Sequence, residues 1–249
     1  MPVWNPSQYL KFAAERTRPC QDLASRISVV AARRIIDVGS GPGNSTQVLA
    51  AQWPEAEISA LDSSVEMVEV GRREHPDYRW IVDDIARWVS TETGSFDIVF
   101  SNAALHWVPD HATLFPQLLD RVADGGALAV QMPFDPEAPA HRLMRELAPF
   151  PVPEWHVHDI PFYYHLLSPK ASSLDIWETT YIHVLENAEA IVEWYKGTGL
   201  RPFLEALPSD AERERFTAEY LRKIREAYPP QKDGRVLLPF RRVFLIAYR

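Results

Sequence analysis

The run Ile35-Ile36-Asp37-Val38-Gly39-Ser40-Gly41-Pro42-Gly43-Asn44 constrains this chain more than any other stretch. An apolar strand pattern runs into a tight glycine turn and then into a helical pattern. Glycines permit positive backbone angles and let the main chain approach a ligand closely. The helix that follows presents free amide donors at its start. In open parallel sheets, ligands bind outside the carboxyl ends of the strands. A small-ligand site on an α/β scaffold is therefore expected here.

The flanking sequence fits that scaffold. Short apolar runs fall at Arg34–Val38, Glu57–Asp62, Tyr78–Asp83, Phe96–Asn102 and Ala127–Met132. Between them, Asn44–Gln52, Ser64–His75 and Ala112–Ala123 carry apolar residues at helical spacing. This rhythm predicts crossover units and a mostly parallel sheet with helices on both faces. Asp124, Gly125 and Gly126 read as a helix stop before the fifth run. Residues 133–169 hold eight prolines, which predicts helical pieces in a long excursion. Leu174–Leu185 and Val236–Tyr248 read as two last strands. Residues 188–228 read as helices, with Gly197, Gly199, Pro202 and Pro208 as breaks. The expected architecture is one domain over 1–249. It has an N-terminal cap (1–30), a ligand-binding core (31–133), cap insertions (134–172 and 186–230) and final strands (173–185 and 235–249).

Charge and cysteine content narrow the partners. The formal net charge of −8 disfavours nucleic acid, whose phosphates call for clustered Lys and Arg. An anionic substrate would need local arginines to overcome the overall field. No stretch approaches the roughly 20 apolar residues of a membrane span. The start does not read as a signal peptide. Cys20 is the only cysteine, so neither an internal disulfide nor a cysteine-based metal site is available. A cytoplasmic location is expected. The oligomeric state is not written in the sequence.

Two cofactor classes use a strand–glycine turn–helix layout. Dinucleotide folds favour G-x-G-x-x-G, but Asn44 occupies the third glycine position and Gly43 falls one residue early. Asp62 ends the second strand, where a carboxylate can accept both ribose hydroxyls of either class. It could equally cap the helix starting near Ser64. Asp83-Asp84-Ile85 ends the third strand, and either aspartate could cap the short helix that follows. Ser101-Asn102-Ala103-Ala104-Leu105-His106-Trp107 ends the fourth.

Asp37 followed by G-x-G-x-G resembles the first motif of class I S-adenosylmethionine-dependent methyltransferases. An acidic residue before an apolar one at Asp84-Ile85 resembles that class's adenine clamp. The segment from Asn102 resembles its methionine-end contact. More of the chain is similar to one family, the trans-aconitate 2-methyltransferases. The similar segments include Trp4-Asn5-Pro6-Ser7, Tyr9-Leu10, Glu15-Arg16 with Arg18-Pro19, and Gly41-Pro42-Gly43-Asn44-Ser45-Thr46. They continue through Asp62-Ser63-Ser64, Trp107-Val108-Pro109-Asp110-His111, Val130-Gln131-Met132-Pro133, Asp175-Ile176-Trp177 and Thr198-Gly199-Leu200-Arg201-Pro202. Ser40 stands where that family carries Cys, and Phe134–Tyr164 matches poorly.

The resemblance implies methyl transfer from S-adenosylmethionine to a carboxylate of trans-aconitate, giving a monomethyl ester and S-adenosylhomocysteine. It implies a cofactor site of Gly39, Ser40, Gly41, Asn44, Asp62, Ser63, Met67, Asp84, Ile85 and Asn102. Met67 either packs or lies against the adenine or ribose. A carboxylate is ionised at neutral pH, with a reference pKa of roughly 4, so no general base, triad or metal is expected. Catalysis then rests on in-line positioning. Arg forks suit the carboxylates of a tricarboxylate. The candidates are Arg16, Arg18 and Arg201, with Tyr9, His106 and Trp107 as neutral donors or walls. Arg241 and Arg242 are secondary, because only one of two neighbours on a strand faces a given side. Three other readings stay open. One is a same-fold methyltransferase acting on another small acid or ring, with His106 as base for a carbon acceptor. The second is an NAD-dependent oxidoreductase, and the third a cofactor-binding protein without turnover.

Overall fold

The structure is a computed structural model that describes residues 13–135, 137–151 and 156–249, with the side chains of 13–16 left aside. Its centre is a seven-stranded sheet in the order β3-β2-β1-β4-β5-β7-β6. The strands are β1 (Arg34–Val38), β2 (Glu57–Asp62), β3 (Arg79–Val82), β4 (Phe96–Asn102), β5 (Val122–Pro133), β6 (Ser173–Leu185) and β7 (Val236–Tyr248). β1 pairs in parallel with β2 and β4, β2 with β3, and β4 with β5. β7 runs antiparallel to β5. Ile35, Ile36 and Val38 of β1 are fully buried, as a central parallel strand requires.

The helices are α1 (Ala13–Ser25), α2 (Asn44–Gln52), α3 (Val65–Glu74), α4 (Ile85–Thr91), α5 (His111–Asp120), α6 (Pro139–Leu147), α7 (Ile160–Leu167), α8 (Ala188–Lys196), α9 (Arg201–Ala206) and α10 (Asp210–Ala227). Strand order reverses between β1 and β4. Right-handed crossovers on either side of that reversal put helices on opposite faces. The reversal also opens a crevice at the carboxyl ends of β1 and β4, where such sheets bind ligands.

Side-chain caps fix several helix starts. Ser64 accepts from the Met67 amide at 3.3 Å, Asp159 from Phe162 at 3.1 Å and Asn187 from Ala190 at 2.9 Å. Pro139, Pro161 and Pro202 lie in the first turns of α6, α7 and α9, where a missing N–H costs nothing. Pro202 thus opens a helix rather than breaking one.

The glycine pair after α5 also differs from its expected role. α5 ends at Asp120, and β5 has already begun at Val122. Phe96 pairs with Val122, but Ile98 pairs with Ala127, so the intervening residues bulge. Gly125 holds a φ of +77° there, and a Cβ on Gly126 would stand 2.5 Å from the Asp97 carbonyl oxygen. The glycines absorb a bulge inside the strand.

The described residues form two compact units. One comprises Ala14–Pro133, the described part of Trp155–Thr179, and Arg242–Arg249. It carries β1–β5 and the glycine turn. The other gathers the described parts of Phe134–Glu154 and Thr180–Arg241. Its core is Leu143, Met144, Trp194, Tyr195, Tyr220 and Phe240 with their neighbours. α7, assigned from sequence to a cap insertion over 134–172, groups with the first unit. Among the described residues, no helix is long and apolar enough to cross a membrane.

Candidate active site

The turn after β1 is built for close approach. Gly39, Gly41 and Gly43 hold φ values of +78°, +56° and +104°. The amides of Gly39 and Ser40 donate to the Leu61 carbonyl at 2.7 and 3.0 Å, locking the turn onto β2. A Cβ on Gly39 would fall 2.2 Å from the Ala104 Cβ and 3.6 Å from the Ile85 Cδ1. Three segments therefore converge at Gly39: the turn, the start of α4 and the exit of β4. Among the described residues, a Cβ on Gly41 would meet nothing within 4 Å, so they leave open space at the crest of the turn. Asn44 begins α2, behind Gly43.

Asp62 fixes that crest. Its Oδ2 accepts from the Gly41 amide at 2.8 Å, and its Oδ1 from the Ser64 amide at 2.9 Å. Ser64, not Asp62, caps α3. Burial pushes the Asp62 carboxyl up, while backbone bonds from Ser64, Gly41 and Ser63 pull it down. Each Asp62 oxygen has a second lone pair that a ligand hydroxyl could use. Ser63 is exposed, and Met67 is buried on α3.

At the end of β3, Asp84 Oδ1 accepts from the Ala86 and Arg87 amides at 3.0 and 3.1 Å, capping α4. Capping occupies one of its oxygens. Ile85 is buried against the Gly39 turn. Asp83 instead engages the Arg87 side chain at 2.5 Å and the Asp84 amide at 2.7 Å.

The exit of β4 is held under strain. Ala103 and Asp110 both sit at φ +55°, uncommon for residues with a Cβ and concentrated at functional sites. Between them, Leu105–Trp107 makes one 3₁₀ turn. The His106 ring is buried, 4.8 Å from the half-buried Trp107 ring. The Asn102 Oδ1 is buried without a hydrogen-bond partner among the described residues. Sequence reading missed the brace on this segment. His111 Nε2 lies 2.9 Å from the Leu105 carbonyl, so it is the protonated nitrogen and Nδ1 accepts from the Tyr163 hydroxyl at 2.7 Å. The Tyr163 oxygen also accepts from the His158 amide at 3.1 Å, and the His156 amide donates to the His106 carbonyl at 3.1 Å. Burial lowers the His111 pKa, which favours that neutral ring.

Asp37 is fully buried beneath the turn. Its Oδ2 accepts from the Ser45 and Thr46 hydroxyls at 2.6 and 2.7 Å, while Oδ1 has no partner among the described residues. Burial pushes its carboxyl up to about 6, the two hydroxyls oppose this, and the Asp62 charge adds to it. The folded form thus holds this proton more tightly than the unfolded chain. The resulting stabilisation is complete below the unfolded value of 3.8 and is lost as pH rises through about 6. A difference of that size corresponds to on the order of 3 kcal/mol. Asp37→Asn removes the titration. Relative to the parent, the variant should gain about 2–3 kcal/mol between about pH 4 and pH 8. Urea denaturation at both pH values measures it, and a pH-independent difference would contradict the assignment.

The described substrate candidates fall in both units. Arg18 is exposed on α1. Arg201 opens α9, with its Nε 2.6 Å from Glu205 Oε1. Arg18, His106 and Trp107 belong to the sheet-centred unit and Arg201 to the other. Tyr9 and the Arg16 side chain lie outside the described residues. The two secondary candidates diverge. Arg241 stacks on Phe134 at 5.1 Å, whereas Arg242 is 4% exposed and donates from Nη1 to Gln131 Oε1 at 3.1 Å.

Comparison with known proteins agrees with this geometry. A methyltransferase domain family matches residues 35–126. A trans-aconitate 2-methyltransferase from Azoarcus sp. (strain BH72) is 45% identical over 263 residues, covering 100% of both chains. One from Methylobacterium nodulans is 46% identical, covering 100% of this chain and 99% of that one. Among solved structures, the YcgJ protein from Bacillus subtilis superposes with a TM-score of 0.62 at 16% identity, covering 93% of this chain and 99% of that one. Haemonchus contortus phosphoethanolamine N-methyltransferase 2, in complex with S-adenosyl-L-methionine, gives 0.57 at 14% identity, covering 93% and 52%. These structural likenesses establish the class I methyltransferase fold. The full-length sequence matches establish more: the chain belongs to the trans-aconitate 2-methyltransferase family.

Proposed function

We propose that this protein transfers the methyl group of S-adenosylmethionine to a carboxylate of trans-aconitate, leaving the monomethyl ester and S-adenosylhomocysteine. The observation that carries the cofactor is the open crest at Gly41 beside a carboxylate whose two oxygens are fixed by Gly41 and Ser64. The acceptor is carried by the family. The residues present fit the cofactor. Asp62 would accept the ribose hydroxyls, Ile85 and Met67 would wall the base, and the unpartnered Asn102 Oδ1 would take a donor at the methionine end. Gly39, Ser40, Ser63, Asn44 and Asp84 complete the lining.

When bound, S-adenosylmethionine supplies a methyl carbon on a positive sulfur, which keeps the bond's electron pair as the acceptor oxygen takes the carbon. The protein's part is to align that oxygen and exclude water. His106 and Trp107 would wall the acceptor, and Tyr9, Arg16, Arg18 and Arg201 would supply donors and charge. A carboxylate is already ionised, so no side chain has to remove a proton. A single buried cysteine and an acidic balance fit a cytoplasmic enzyme with a small tricarboxylate partner and no nucleic acid.

Product analysis tests the reading. Incubation with S-adenosylmethionine and trans-aconitate should release S-adenosylhomocysteine and a monomethyl ester in equal amounts. His106→Gln should leave the shape of the pH–rate profile unchanged. Loss of the acid-side limb in that variant would point to a base-requiring carbon acceptor instead.

A further inference from the structure

We propose that Arg242, oriented by Gln131, receives one carboxylate of the acceptor and so selects for a polycarboxylate; this rests on the functional reading above. In register, Asn102 lies beside Gln131, Gln131 opposite Phe244, and Pro133 opposite Arg242. Paired residues share a face of the sheet, as do residues two apart. Asn102, Gln131 and Arg242 therefore stand on one face at the carboxyl ends of β4 and β5.

Gln131 is fully buried. Arginine can only donate, so the Gln131 carbonyl oxygen must be the atom that faces it. That fixes the amide nitrogen on the far side, and Gln131 Nε2 is buried without a partner among the described residues. A buried NH2 in that position calls for an acceptor. The adjacent guanidinium is a buried cationic donor, bonded through Nη1 to Gln131 at 3.1 Å. An anion that accepts from the Gln131 NH2 would also meet the positive charge beside it, and a guanidinium matches a carboxylate in shape and sign.

Strand order separates this anchor from the cofactor groups. Gly39 follows β1 and Asp62 ends β2, while Arg242 stands on β7, reached from β1 across β4 and β5. Three strand spacings amount to about 14 Å. A ligand held at β1–β2 with its reactive end at Asn102 leaves the β5–β7 side for the second reactant. Arg242 is thus a substrate-binding residue and Gln131 a positioning residue.

The test compares wild type with Arg242→Met and Gln131→Met, with Arg242→Lys as a second charge-retaining variant should the methionine form fail to fold. Calorimetry measures trans-aconitate binding to protein saturated with S-adenosylhomocysteine, and the product's own affinity is measured separately. Arg242→Met should weaken trans-aconitate binding at least tenfold and leave S-adenosylhomocysteine affinity within twofold. Gln131→Met should weaken trans-aconitate binding several-fold. Arg242→Met should also lose most of the wild-type preference for trans-aconitate over an analogue lacking one carboxylate arm, which a merely structural residue would not affect. Equal trans-aconitate binding by wild type and variants, or a parallel fall in S-adenosylhomocysteine affinity, would overturn this inference alone. Wild-type binding without turnover would overturn the functional reading alone, and no wild-type binding would overturn both.

Discussion

Replacing Gly39 with alanine is expected to abolish measurable cofactor binding and to destabilise the fold by about 3 kcal/mol or more. Two costs add. An L-residue at φ +78° carries about 1–2 kcal/mol of left-handed strain. The new Cβ would also lie 2.2 Å from the Ala104 Cβ. Ala104 has little room to retreat, because Ala103 is held at φ +55° by a 2.9 Å bond from its amide to the Gln131 carbonyl. Relief must come from moving the turn, which displaces the crest from Asp62. For a chain of this size, the melting temperature should fall by about 6–12 °C. Gly41→Ala is the matched control. Its φ is +56°, and its Cβ would meet nothing within 4 Å among the described residues, so strain is the cost that applies. It should melt within about 2–8 °C of the parent yet bind S-adenosylhomocysteine poorly, because the methyl group projects into the ligand's space. Equal stability and affinity in Gly39→Ala would show that the convergence at Gly39 is not tight.

Asp62→Asn is expected to weaken S-adenosylhomocysteine binding about 100-fold, equivalent to about 2.7 kcal/mol. Both carboxylate oxygens accept from backbone amides, at 2.8 Å from Gly41 and 2.9 Å from Ser64. An asparagine keeps the shape but has one acceptor. Its NH2 must then face an N–H donor, leaving that amide unsatisfied at about 1–3 kcal/mol. The ribose would lose one acceptor as well. Isothermal titration checks the affinity and thermal melting the stability. If the variant melts lower but binds normally, Asp62 serves the turn and not the ligand.

Much of the sheet was legible because continuously buried parallel strands carry continuous apolar runs. β1, β2, β4 and β7 begin and end where Arg34–Val38, Glu57–Asp62, Phe96–Asn102 and Val236–Tyr248 do in the sequence. Gly125-Gly126 misled because a glycine pair reads the same after a helix as inside a bulge. Its role was decided by the five-residue step from Val122 to Ala127 against Phe96 and Ile98. Pro202 was ambiguous for a related reason, since proline both ends one helix and opens the next.

The geometry of the candidate site was readable where it is local. The glycine turn, Asp62 at the end of β2 and Asp84 just after β3 fall at fixed offsets in the sequence. What joins distant segments was not readable. Nothing at Tyr163 announces His111, 52 residues earlier, as its partner. The Gln131–Arg242 contact spans 111 residues and depends on antiparallel register that no local pattern sets. The Asp37 pair was within reach. Ser45 and Thr46 lie in the first turn of α2, and hydroxyls at that spacing from a buried aspartate are the signal that was passed over.

Carboxyl methylation is decided by label transfer from methyl-labelled S-adenosylmethionine to trans-aconitate, run beside cis-aconitate, isocitrate, citrate and a control without acceptor. Label should appear in a product that forms preferentially with trans-aconitate and is released by mild alkali, as a methyl ester must be. Label that resists alkali, or that forms equally well without an acid, would contradict carboxyl methylation.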